Sequence, residues 1–168
     1  KGFNLTYNYV SFLQAVLLLG SIYPQYQYFE NYGRFVNQLY DYCTLESLVE
    51  IVNQPIPEGS EEISLNLYGL GGKISEVEKF DTAFYYRDSF YILLIDTVFK
   101  NNCYKEINKD WIKSNIETIY GITEGSYINF PYYPLENYMS EYYGKNKCRL
   151  EEVKQMYDPY NIFNFKQS

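Results

Sequence analysis

The 168-residue sequence contains no histidine, and this excludes the Ser-His-Asp and Cys-His constellations of most hydrolases. Its paired acids, Glu61-Glu62 and Glu151-Glu152, are adjacent in sequence. Neighbours diverge on a helix or a strand, so these pairs read as solvated faces and not as a glycosidase dyad. Cys43, Cys103 and Cys148 lie far apart and form no CxxC pair, which disfavours zinc, thioredoxin-like chemistry and a secreted disulfide scaffold. The Gly69-Leu70-Gly71-Gly72 run follows a strand pattern but lacks the spacing and the following helix of a phosphate cradle. It is expected to be a hairpin turn.

Composition narrows the class further. With 46% hydrophobic and 20% aromatic residues, one domain of this size can bury roughly 70% of its unfolded surface. The 22 tyrosines and 11 phenylalanines are spread along the chain, as a compositional bias shared with Asn, Ile and Lys would give. A net charge of −7 without a basic run argues against nucleic acid or an anionic membrane as partner. The apolar stretch Val10–Gly20 is too short to span a bilayer and lacks the flanks of a signal peptide. The compartment stays open between cytoplasmic and secreted. Asn4-Leu5-Thr6 matches a glycosylation sequon, which counts only in a secreted eukaryotic protein. The opening Lys1 fits a piece of a longer chain.

The elements that must hold any site follow from periodicity. Val10, Leu13 and Leu17, with Phe12, Val16 and Leu19, predict a core helix buried on most sides. Residues 21–33 are expected to be irregular, broken by Pro24 and Gly33, and Arg34 to Tyr40 to form a strand. Thr44 offers an N-cap to a helix carrying Leu45, Leu48, Val49 and Val52. Ile63, Leu65 and Leu67 alternate with Ser64, Asn66 and Tyr68, the pattern of a half-buried strand. Phe90 to Phe99 reads as a central strand buried on both faces. A helix from about Glu106 to Tyr120 carries Trp111, Ile112, Ile116 and Ile119. Tyr127 to Phe130 is expected to be a short strand ended by Pro131, and a last helix with Leu150, Val153 and Tyr157 stops at Asp158-Pro159. The order points to an α+β fold with a largely antiparallel sheet backed by helices.

The C-terminal third carries a resemblance. Tyr142-Tyr143-Gly144-Lys145-Asn146, then Arg149-Leu150, Val153-Lys154, Tyr157-Asp158-Pro159-Tyr160-Asn161-Ile162-Phe163 and the closing Gln167-Ser168 stand in this order. Upstream come Gly71-Gly72-Lys73-Ile74 with Val77, Thr82-Ala83-Phe84 with Arg87, and Tyr127-Ile128-Asn129. The set resembles the berberine bridge enzyme family of FAD-linked oxidoreductases, in the vanillyl-alcohol oxidase superfamily, over Gly71 to Ser168. Residues before about Tyr68 match it only loosely.

The resemblance implies FAD, held mostly by an N-terminal domain outside this chain, and a small-molecule substrate oxidised by hydride transfer to the flavin. Residues 1–120 would then belong to the substrate-side domain, and 121–168 would pack on the FAD-binding domain of the same polypeptide. Tyr127, Asn129 and Asn146 would meet the cofactor, and Leu93, Ile95 and Phe130 would wall the substrate. Many family members carry a tyrosine base where this chain has Phe130, which cannot take a proton. Asp96, Tyr132 and Tyr133 are the substitute candidates, and Arg87 reads as a loop anchor. The alternative is a non-catalytic binding or structural module derived from the same fold.

Overall fold

The computed structural model describes residues 7–20 and 26–167. The sequon at 4–6 and Pro24 lie outside them. Four antiparallel strands form one sheet in the order β2-β3-β1-β4: β1 is Tyr28–Val36, β2 Ser60–Gly69, β3 Tyr91–Phe99 and β4 Glu124–Ser126. Five α-helices accompany them: α1 (Phe12–Gly20), α2 (Tyr42–Val52), α3 (Lys105–Gly121), α4 (Tyr138–Tyr143) and α5 (Lys147–Tyr157). The fold is α+β, and β4, which follows the division at residue 121, completes the same sheet.

Pairing sets which side chains share a face. Tyr32 stands opposite Ile95, Arg34 opposite Leu93, and Leu65 and Leu67 opposite Ile95 and Leu93. This parity turns toward α2 and α3. Tyr32, Val36, Leu93 and Ile95 pack there with Leu48, Ile51, Trp111, Ile112 and Ile119. Fully buried side chains such as Ile95 and Ile119 each contribute about 1.5–3 kcal/mol. Asn108 of α3 pins the same layer, its Oδ1 accepting from Ser60 Oγ at 2.6 Å and from Thr97 Oγ1.

Several expectations are corrected. Strand β1 begins at Tyr28 and ends at Val36, so Gly33 lies inside it and the strand stops well before Tyr40. Helix α2 is capped by Asp41, whose carboxylate accepts from Thr44 N at 2.8 Å, three residues before the expected cap. The glycine run does not close a tight hairpin. Gly69 pairs with Tyr91, yet the connection runs from Leu70 to Phe90 around a 3-10 turn at Gly72–Ile74. Arg87 holds that connection, donating to the carbonyls of Phe84 and Ile74 and to Thr82 Oγ1. Helix α1 forms where its pattern says, but Phe12, Leu13, Val16 and Leu17 are exposed. Periodicity shows that a helix is apolar; it does not say which surface covers it.

Candidate functional site

The opposite parity of the sheet meets no helix of the α2–α3 layer. Gly33 stands opposite Leu94 and Asn31 opposite Asp96; across β3, Asn66 faces Leu94 and Ser64 faces Asp96. Side chains of paired residues share a face, so Asn31, Asp96 and Ser64 form a row across three strands. Leu94 and Tyr68 continue that face toward a second apolar cluster of Phe35, Tyr86 and Ile92, against which Phe84, Tyr127 and Phe130 pack.

Phe130 is fixed by backbone bonds. Gly33 N donates to Phe130 O at 3.2 Å and Tyr127 N donates to Gly33 O at 2.8 Å, so the 127–130 segment is strapped across β1. A Cβ on Gly33 would come within 2.8 Å of Phe130 Cβ, so only glycine lets the strap lie this close. Phe130 N donates to Tyr127 O at 3.0 Å, which makes the segment a turn and not the expected strand. Tyr127 and Asn129 meet nonetheless, the Asn129 amide donating to the Tyr127 hydroxyl at 2.9 Å. Phe130, Asn129 and Tyr133, with Phe29 and Asn31 of β1, line a hollow of about 580 Å³. Asn31 therefore belongs both to the hollow and to the polar row.

The other candidates separate. Leu93 and Ile95 are corrected: they sit 1% and 0% exposed under α2 and α3, one residue out of phase with the open face. Ile92 and Leu94 share the parity of the open face instead. Asn146 is held by a neighbouring loop. Its amide donates to Lys79 O at 2.6 Å and Thr82 O at 2.9 Å, so both its hydrogens staple the glycine-block loop and neither is left for a cofactor. Tyr132 stacks on Tyr32 at 4.6 Å, on the helix-covered side, and burial pushes its phenol up. Tyr133 stands exposed at the hollow's rim with Lys166 Nζ 3.2 Å from its ring centre.

Asp96 remains on the open face. Ser64 Oγ donates to its Oδ1, and Asn66 Nδ2 reaches both Ser64 Oγ at 2.6 Å and Asp96 Oδ1 at 3.3 Å. Burial holds its carboxyl above the ordinary 3.8, the Ser64 bond opposes this, and Glu62 adds to it. Above 3.8 the folded state then keeps a proton that the unfolded chain releases, so stability falls as pH rises through that window. Asp96→Asn removes this fall. In urea melts followed by the single Trp111, the stability of wild type minus variant should decline as pH rises from about 4. A flat or rising difference would contradict the burial assigned to Asp96.

Sequence reasoning misses Asn31, Asn66, Ser64 and Gly33. The alternation along β2 carries the signal for two of them. On β3 the run Tyr91 to Ile95 is apolar, and Asp96 alone gives the parity of the open face.

Comparison with known proteins places this geometry. Residues 126–168 match the family model described as berberine and berberine-like. The FAD-linked oxidoreductase YvdP of Bacillus subtilis (strain 168) is 38% identical over 98 residues, 58% of this chain and 22% of YvdP. Over these stretches the chain is similar to berberine-like FAD-linked oxidoreductases. A second Bacillus subtilis FAD-linked oxidoreductase, YgaK, is 38% identical over 99 residues, 59% of this chain and again 22% of its own length. The chain thus spans under a quarter of the length of the curated relatives it matches. Among solved structures, BBE-like #28 from Arabidopsis thaliana superposes with a TM-score of 0.79 at 20% identity, over 94% of this chain and 39% of that one. A glycopeptide hexose oxidase complexed with teicoplanin gives 0.76 at 22% identity, over 84% and 32%. These two show a shared fold. No described helix of this chain is long and apolar enough to cross a membrane.

Proposed function

We propose that the chain is the substrate-side, C-terminal part of a longer FAD-dependent oxidoreductase that oxidises a small organic molecule by hydride transfer to flavin. The observation that supports this most is where the family match falls. Its residues, 126–168, include the turn that straps Phe130 over the open sheet face.

The residues present fit a flavin as its cover and not as its holder. The open face offers an aromatic hollow of about 580 Å³ with the exposed Asn129 amide at its wall. The glycine run leads only into a three-residue 3-10 turn, which gives no helix N-terminus for a pyrophosphate. Tyr127 and Asn129 would meet the ring edge, and the FAD-binding domain of the same polypeptide would hold the rest. Bound there, the flavin supplies the hydride acceptor. The chain's own residues orient the substrate against Phe130 and Leu94 and exclude water. Phe130 has no proton to exchange, Tyr132 faces the helix layer and Tyr133 lies at the rim. Asp96 is left as the proton acceptor on this face.

The absence of an ionisable group at Phe130 favours a second reading, a binding module that has lost catalysis. The intact mass and visible absorbance of the native gene product separate the two. A polypeptide more than twice this length that carries flavin supports the enzyme, whereas a lone chain without flavin supports the module.

If Phe130 lies at the reacting carbon, Phe130→Tyr in the full-length protein places a phenol there, with an unperturbed pKa near 10. The kcat/KM profile should then gain a new alkaline limb. An unchanged profile would remove this position from the reaction centre.

A further inference from the structure

We propose that Gln167 is a positioning residue, an amide latch that holds residues 165–167 as one wall of the hollow beside Asn129 and Phe130. The proposal rests on that hollow being the substrate and flavin side of the chain, and it names what keeps its wall in place.

A glutamine amide carries two donor hydrogens and an acceptor oxygen, and Gln167 uses all of them. Its Nε2 donates to Tyr132 O at 2.9 Å, with Tyr133 O and Leu135 O each 3.3 Å away. Its Oε1 accepts from Tyr142 Oη at 3.1 Å, and the same phenol oxygen accepts from Tyr132 N at 3.2 Å. One half-buried side chain thus gathers the carbonyls of a single turn, closed by Leu135 N on Tyr132 O at 3.0 Å, and ties them to α4. A carboxylate of the same length has no donor and would set its charge against three carbonyl oxygens. The backbone carries a second mark of constraint. Gln167 holds φ at +69°, a left-handed conformation uncommon outside glycine and kept where the surroundings over-determine it.

The segment is tied at its other end as well. Asp158 accepts from Ile162 N at 2.7 Å and from Phe163 N at 3.1 Å, and Lys154 of α5 donates to Phe163 O. Between the two ties run Phe165 and Lys166, which with Gln167 line the same hollow of about 580 Å³ as Asn129 and Phe130. Ile128, Phe165 and Gln167 also line a second hollow of about 460 Å³, which Tyr138 of α4 and Leu150 of α5 share. Residues 165–167 are therefore a partition between two hollows, and their place sets the extent of the first. With Asp158 fixing one end, the amide of Gln167 decides where the other end lies.

The test uses the full native gene product with Gln167→Met and Gln167→Glu, which keep the length of the side chain and remove its donors. Amide hydrogen exchange is read by mass spectrometry over 127–135, 163–167 and α3, and acrylamide quenching is read on the flavin fluorescence. We expect Gln167→Met to speed exchange in the first two segments roughly tenfold, the scale of one or two lost hydrogen bonds. Gln167→Glu should speed it at least as much, and α3 should exchange as in wild type. Quenching should rise at least about twofold in both variants, because the wall no longer keeps solvent from the ring. Wild-type exchange in Gln167→Met would mean that side-chain length alone holds the segment, and would overturn the latch. Faster exchange in α3 as well would tie Gln167 to the fold at large and overturn it too. Faster exchange at 163–167 with unchanged quenching would overturn the positioning role while the oxidoreductase reading stood. A product without flavin whose two segments exchange faster in both variants would do the opposite, supporting the latch and removing the oxidoreductase.

Discussion

Gly125→Ala should lower the melting temperature by roughly 5–20 °C. Strand β4 pairs with β1 through Ser126 opposite Arg34 and Glu124 opposite Phe35, so Gly125 is the extra residue of a bulge. Its φ is +62°, a conformation that costs a residue with a Cβ about 1–2 kcal/mol. An added Cβ would also overlap the Cζ–Oη end of Tyr86. Tyr86 cannot step aside: it stacks on Phe35 at 4.3 Å and its hydroxyl donates to Glu141 O at 2.7 Å. Overpacking of this kind costs a further 1–3 kcal/mol or so. Gly121→Ala is the control, since a Cβ there meets nothing within 4 Å, and it should leave the melt unchanged or raise it. Equal melting temperatures for Gly125→Ala and wild type would disprove the bulge geometry.

Arg34→Met should cost about 3 kcal/mol, and most of that should return in the double variant Arg34→Met/Glu141→Leu. Arg34 is 3% exposed and Glu141 27%, and they meet at 2.7 Å. The guanidinium also donates to Tyr32 Oη at 2.8 Å, Ser126 Oγ at 3.1 Å and Thr123 Oγ1 at 2.7 Å, and it lies 3.8 Å from the centre of the Tyr120 ring. Removing the cation alone strands a partly buried carboxylate and several acceptors. Removing both partners strands fewer groups, and apolar side chains can fill the space. The partial exposure of Glu141 places the single-variant cost at the low end of the usual 3–5 kcal/mol or so. A double-mutant cycle in urea should give a coupling of roughly 1–3 kcal/mol. Strict additivity would mean that the pair does not act as a unit.

These two features explain why α4 and β4 sit where they do, and neither is legible in the sequence. A glycine bulge needs a known strand partner before its extra residue shows. Arg34 and Glu141 are 107 positions apart, and no local pattern joins them. Local patterns do carry α3 and β2, which hold a clear period, and β3, whose apolar run marks a buried strand. The turn at 127–130 reads as strand because Tyr-x-Asn alternates in sequence while its chain folds back on Gly33. Leu93 and Ile95 read as wall residues because an unbroken apolar run has no phase. Asp96, in the same strand, is the polar residue that can supply one. Its face holds Leu94 and Ile92, and counting by two from Asp96 finds them.

The alternation in β3 also separates two kinds of inheritance. Residues at odd positions from Tyr91 to Phe99 answer to α2 and α3, and a change there taxes folding for every possible ligand. Among the even positions, Asp96 answers to the open face, while Ile92 is held in the cluster of Phe35 and Tyr86. On the proposed reading, a lineage can therefore retune this surface at Asp96 without touching the residues that α2 and α3 cover. The scaffold stays put while its specificity evolves.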